Sequence, residues 1–190
     1  MKIGLFGGSF DPVHTGHLLM ARAAREELDL GRMFFIPTAR SPFKASAPLA
    51  PDGERLRLLR LALAADASSE IDLLEIERGG VSYTVDTLRI YAERFAGAEL
   101  FYLIGADQIA LLPQWREAEA LARLAQFVVL PRPGEPPAVL PAPFRGRVLR
   151  GLPMAVSSSE IRARVKAGRP ITHLTPPAVA EAIANNRLYL

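Results

Sequence analysis

The sequence predicts a doubly wound parallel α/β sheet with a small C-terminal helical part. Two observations carry that reading. Short apolar runs of strand length alternate with segments whose apolar residues recur at helical intervals. The glycine-, acid- and serine-bearing motifs then fall just past the apolar runs, at the edge of such a sheet where ligands collect. The 190 residues suffice for one domain with a sizeable core, so residues 1–190 are expected to form a single unit, its helical part beginning at about residue 157.

Composition narrows the function classes. The chain is 49% hydrophobic and 23% charged, as in a soluble globular protein. Lys and Arg number 23 against 20 Asp and Glu, and a surplus of +3 is too small to argue for a nucleic-acid or membrane partner. The absence of cysteine excludes disulfides, thiolate metal sites and cysteine nucleophiles. Met1-Lys2 lead into a short apolar run soon broken by Gly7, Gly8 and Asp11. That is neither a signal peptide nor a membrane span, and a cytoplasmic location is expected.

Ile3 to Phe6 reads as the first strand, entering the turn Gly7-Gly8-Ser9-Phe10-Asp11-Pro12-Val13-His14-Thr15-Gly16-His17. Glycines let backbone come close to a phosphate, and the N–H groups opening the next helix favour an anion. His14 and His17, three residues apart, share a face if the helix starts there. The turn is neither a P-loop, since no lysine follows the glycines, nor a G-x-G-x-x-G dinucleotide turn. Leu18 to Leu28 continues as that helix. Met33 to Ile36 is a second strand, and the long connection 38–53 with Arg40 and Lys44 reads either as a lid over a polyphosphate or as a surface loop.

Glu54 to Ala65 is a leucine-rich helix with Arg55 at its start, where a cation is unfavourable unless an anion is near. Ile71 to Ile76 reads as a strand. In Ser82-Tyr83-Thr84-Val85-Asp86-Thr87-Leu88, Thr84 is placed to cap the helix that runs to about Ala96. Glu99 to Ile104 is a strand followed by Gly105-Ala106-Asp107, an acid positioned either for ribose hydroxyls or as a helix cap. Pro113 to Arg116 opens a helix to about Leu124 and holds the sole tryptophan, Trp115, which alone reads as core. Phe127 to Leu130 is a fifth strand ended by Pro131-Arg132-Pro133-Gly134. A short strand is expected within 148–156, a serine-capped helix from Ser157-Ser158-Ser159-Glu160-Ile161-Arg162, and a last helix over Ala178 to Ala184.

Taken together, these motifs resemble the bacterial nicotinate-nucleotide adenylyltransferases of the HxGH nucleotidyltransferase superfamily, over nearly the whole chain. GGSFDPVHTGH resembles that family's first motif and SSSEIR its SSTxIR motif, with Ser9 and Ser159 standing where threonine is usual. The lid is a looser match, in which Phe43 replaces a basic residue beside Lys44. The resemblance implies a Rossmann-like fold and transfer of the adenylyl group of ATP to nicotinate mononucleotide, with deamido-NAD and pyrophosphate as products. It implies His14, His17, Lys44 and Arg162 as catalytic groups. ATP would meet Gly7, Gly8, Ser9, Phe10, His14, Gly16, His17, Gly105, Asp107, Ser157, Ser158, Ser159 and Arg162. The mononucleotide would meet Tyr83, Thr84, Trp115, Arg116, Arg132 and Lys44. Mg²⁺ would arrive on the phosphates without dedicated protein ligands, and a homo-oligomer stays open. The alternatives are another phosphorylated acceptor, nicotinamide mononucleotide or phosphopantetheine, or a nucleotide sensor without turnover.

Overall fold

The computed structural model describes residues 1–43, 50–130, 139–151 and 154–190. Among them, one sheet of six strands has the order β3-β2-β1-β4-β5-β6. The strands are β1 (Lys2–Gly8), β2 (Arg32–Pro37), β3 (Ser69–Ile71), β4 (Glu99–Gly105), β5 (Gln126–Leu130) and β6 (Gly146–Val148). Every neighbouring pair is parallel. The chain steps outward from β1 to β3 on one side, then returns to start β4 on the other. The order therefore reverses between β1 and β4, which opens a crevice at their carboxyl ends.

Alternation along the strands feeds two cores. Phe6, Met33, Phe35, Phe101 and Leu103 face one layer, packed by α1 (Thr15–Leu28), α2 (Asp52–Leu63) and α7 (Pro177–Asn185). Ile3, Leu5, Phe34, Ile36, Tyr102 and Ile104 face the other, packed by α4 (Thr84–Arg94) and α5 (Ala118–Leu124). α3 (Leu74–Arg78) and α6 (Ser158–Lys166) are the other two α-helices among the described residues. α1 stops where Asp29 turns left-handed at φ 54. The doubly wound fold expected from the sequence is the fold observed.

Several local expectations were overturned. Ile71 to Ile76 is not one strand: β3 ends at Ile71 and Leu74–Arg78 is helical. The Asp72 carboxylate accepts the Leu74 N–H at 2.9 Å and turns the chain there. Thr84 is not the cap of α4; Tyr83 is the cap residue and Thr84 the first helical one. Pro113 and Trp115 do not open α5. Ala106–Gln114 forms a 3₁₀ stretch instead, and α5 starts at Ala118 after Glu117 at φ 56. The strand expected within 148–156 lies earlier, at Gly146–Val148. Arg55 is fully buried, and its anion is Asp52 in the same turn, at 2.6 Å.

Candidate active site

The turn after β1 is built by three close approaches. A Cβ at Gly7 would collide with the Tyr102 hydroxyl, and one at Gly8 would lie 3.1 Å from the Phe10 ring. At Gly16 it would lie 3.0 Å from His14 Nδ1. The Phe10 ring is buried, edge-on to Phe6 at 5.5 Å and to His17 at 5.1 Å, so Phe10 anchors the turn from the core side.

His14 caps α1 and His17 lies in its first turn, with the two rings stacked at 3.6 Å. His17 Nδ1 accepts the backbone N–H of His14 at 3.1 Å. A neutral His17 ring then carries its proton on Nε2, which makes that nitrogen a donor. Donors at a helix N-terminus suit an anion.

The C-terminal part holds this turn from outside. Ser158 donates its hydroxyl to the Pro12 carbonyl at 2.9 Å, and Arg162 donates to the Asp11 carbonyl at 2.8 Å. Thr15 N–H reaches the Leu174 carbonyl at 2.9 Å. The Asp11 carboxylate accepts from the Tyr189 hydroxyl at 2.8 Å and from the Ala50 N–H at 3.2 Å. Ser157 is the N-cap of α6 and accepts the Glu160 N–H at 3.2 Å, while Ser159 accepts from Arg162 at 3.2 Å. From inside, buried Arg55 forks to the carbonyls of Ser9 (2.5 Å) and Thr38 (2.7 Å), tying the ends of β1 and β2 together.

A cavity of about 390 Å³ fills the crevice beside this turn. Gly7, Gly8, Ser9, Thr84, Gly105 and Trp115 line it, so these sequence-singled residues do meet. The histidines lie next to it, across Phe6, which both lines the cavity and touches His17 at 5.6 Å. Tyr83 and Arg116 share a crevice with Thr84 and Trp115, the Arg116 guanidinium lying 4.7 Å over the Tyr83 ring. Asp107 stands exposed just beyond Gly105 and accepts from Gln108 at 2.7 Å. Lys44 and Arg132 lie outside the described residues.

Sequence reasoning missed Thr38, Phe43, Ser82, Tyr102 and Gln108, all of which line the cavity. Tyr102 lies opposite Leu5 in the β1–β4 register, and its hydroxyl reaches the place a Cβ at Gly7 would take. Burial, and then the nearby Glu75 carboxyl, raise its pKa above the ordinary value, so its hydroxyl stays neutral, and the Thr84 hydroxyl reaches it at 3.4 Å. Behind this floor Glu75 is 2% exposed and accepts from the Thr87 hydroxyl at 2.6 Å. Burial raises its pKa, against hydrogen bonds from Thr87 and Ser82 that lower it.

With that geometry in place, likeness to known proteins becomes specific. Residues 5–164 match the profile of the cytidylyltransferase-like family. A Thermus thermophilus protein called "probable nicotinate-nucleotide adenylyltransferase" is 44% identical over 190 residues, covering all of both chains. The chain belongs to this family. A Chromobacterium violaceum relative of the same name is 40% identical over 208 residues, covering 99% of this chain and 98% of its own. Among solved structures, the Plasmodium falciparum nicotinic acid mononucleotide adenylyltransferase complexed with NaAD superposes with a TM-score of 0.79. That match covers 99% of this chain and 97% of that one at 18% identity, a likeness of fold. Among the described residues, no helix is long and apolar enough to cross a membrane.

Proposed function

We propose that the protein transfers the adenylyl group of ATP to nicotinate mononucleotide, giving deamido-NAD and pyrophosphate. The observation that carries this is the pairing, at one sheet edge, of a histidine-capped helix N-terminus with an aromatic-walled cavity. Full-length kinship to nicotinate-nucleotide adenylyltransferases supports the choice of acceptor.

The mononucleotide's phosphate attacks the α-phosphorus of ATP in line; the P–O bond to the β-phosphate breaks and pyrophosphate leaves with its electron pair. The attacking group is already an anion, so no general base is required, and rate comes from positioning and charge stabilisation. His14 and His17 donate to phosphate oxygens, where negative charge grows on the leaving group. The amides from Gly7 to Phe10 and the start of α1 at Gly16 cradle the triphosphate. Lys44 and Arg162 hold the pyrophosphate end, as do Ser157, Ser158 and Ser159 at the start of α6. Arg162 and Ser158 also fix the backbone of Asp11 and Pro12, so they position the turn as well as charge it.

Asp107 and Gly105 hold the ATP ribose; a Cβ at Gly105 would lie 2.5 Å from the Asp107 carboxylate, so glycine leaves that carboxylate its place. Trp115 stacks on the pyridine ring, Tyr83, Thr84 and Arg116 receive the nicotinate carboxylate, and Arg132 meets the mononucleotide's phosphate. Mg²⁺ carried on the ATP phosphates would supply neutralising charge there. Among the described residues no group of three or more His, Cys, Asp or Glu side chains is gathered as a metal site.

Pyrophosphate release from MgATP, compared with nicotinate mononucleotide, nicotinamide mononucleotide and phosphopantetheine, tests the reading. A strong preference for the first is expected. Release with another acceptor would keep the reaction and replace the pocket assignment. ATP binding without release from any of them would make the protein a nucleotide sensor.

A further inference from the structure

Arg55 is the largest fully buried side chain among the described residues, and its placement is costly in three ways. It sits in the first turn of α2, where the helix dipole disfavours a cation. Its Nε has no hydrogen-bond partner among the described residues. Its ion-pair partner there is Asp52 at 2.6 Å, whose side chain keeps half its surface in water. Solvent therefore damps the carboxylate while the guanidinium stays dry. An incompletely compensated positive charge is left below the carboxyl ends of β1 and β2.

The guanidinium acts on backbone. One Nη donates to the Ser9 carbonyl at 2.5 Å and the other to the Thr38 carbonyl at 2.7 Å. The Ser9–Phe10 peptide is trans, so its N–H points opposite to its carbonyl, away from the buried guanidinium. Phe10 itself is held at φ 46, in the left-handed region that a bulky side chain seldom adopts. Such a conformation persists only where the surroundings fix it. The Phe10 ring is fixed by its contacts to Phe6 and His17, and the preceding peptide by Arg55. A carbonyl drawn on by a cation also polarises its peptide and makes the N–H a stronger donor. Orientation, strain and polarisation converge on one amide of the turn.

We propose that Arg55 is a positioning residue for the triphosphate of ATP. From the core side of the turn it aims and strengthens the Phe10 N–H towards the phosphates, and it adds a fixed positive charge behind them. The inference rests on the reading of this turn as the ATP phosphate site and is indifferent to which acceptor follows.

The test measures binding of MgATP and of adenosine to the whole protein without acceptor, by calorimetry, in the wild type, Arg55→Met and Arg55→Lys. Adenosine lacks the phosphates, so a role confined to them changes the ratio of the two affinities, which a general loosening of the fold does not. We expect the methionine variant to bind MgATP about 10-fold more weakly and adenosine as the wild type does. Lysine keeps the charge but cannot fork to two carbonyls, and should lose about 3-fold for MgATP alone. Circular dichroism reports whether each variant is folded; should methionine not fold, the lysine variant decides. Equal losses for both ligands would make Arg55 a support of the fold only and overturn the proposal. If the wild type prefers MgATP to adenosine and the folded variants keep that preference in full, the role of Arg55 alone fails. If the wild type binds MgATP no more tightly than adenosine, the phosphate reading of the turn fails and takes the role of Arg55 with it.

Discussion

Gly16 sits between the two histidines and inside the first turn of α1, so a single methyl group there separates stability from chemistry. Its backbone is ordinary helix, in which alanine is the better residue. The added Cβ, however, would lie 3.0 Å from His14 Nδ1 and 3.1 Å from Cε1, and the His14 ring is already stacked on His17 at 3.6 Å. The ring must move, and if His14 donates to phosphate as proposed, even a small displacement is costly. Gly16→Ala should therefore melt at or above the wild-type temperature while kcat falls about 10-fold. Equal kcat in a rate assay with saturating substrates would show that the His14 ring has no fixed place in the reaction. The motif spelled out this glycine in the sequence; the reason for it needed the stacked rings.

At the scale of elements, legibility followed how local the cause was. The strand cores from Ile3 to Phe6 and from Leu100 to Ile104 were readable because a short apolar run and a following glycine are both local. Leu74–Arg78 was misread because its helix depends on Asp72 turning the chain, and its charged face includes Glu75, which is buried against α4. Arg55 looked like a misplaced cation because its carbonyl partners, Ser9 and Thr38, lie on other elements. Glu75 also gives α3 and α4 a pH signature. Its folded pKa is raised above the ordinary 4.5, first by burial, so the folded state holds its proton longer than the unfolded chain. Stability from this group is then complete below about pH 4.5 and is lost as pH rises towards the raised folded value. Glu75→Gln keeps an acceptor for Thr87 and removes the titration. The melting temperature of the variant relative to wild type should climb with pH across that window, measured by circular dichroism. A pH-independent difference would mean the carboxyl does not titrate differently in the folded state.

For the molecule as a whole, the turn after β1 is held in place by residues from 158 onward. Asp11 and Tyr189 are 178 residues apart, and Ser158 reaches Pro12 across 146. Such contacts leave no trace in local pattern, which is why the sequence showed the turn and the SSSEIR helix but not that one braces the other. Tyr189 lets this dependence be measured. Burial first, and then the Asp11 charge, raise its pKa, so it remains a donor through any usable pH. Tyr189→Phe removes that donor and leaves Asp11 its bond from the Ala50 N–H. Losing one hydrogen bond to a carboxylate costs about 2 kcal/mol, or roughly 5 °C in melting temperature for a chain of this size. If residues 1–190 fold as one unit, Trp115 emission and helical circular dichroism should shift together, because the two ends then unfold in one transition. The same substitution loosens the turn and not the acceptor cavity, so the KM for ATP should rise about 3-fold with that for nicotinate mononucleotide unchanged. Helix signal melting ahead of Trp115 emission would instead divide the chain near residue 157 into two separately stable parts, and the brace would then be a contact between units.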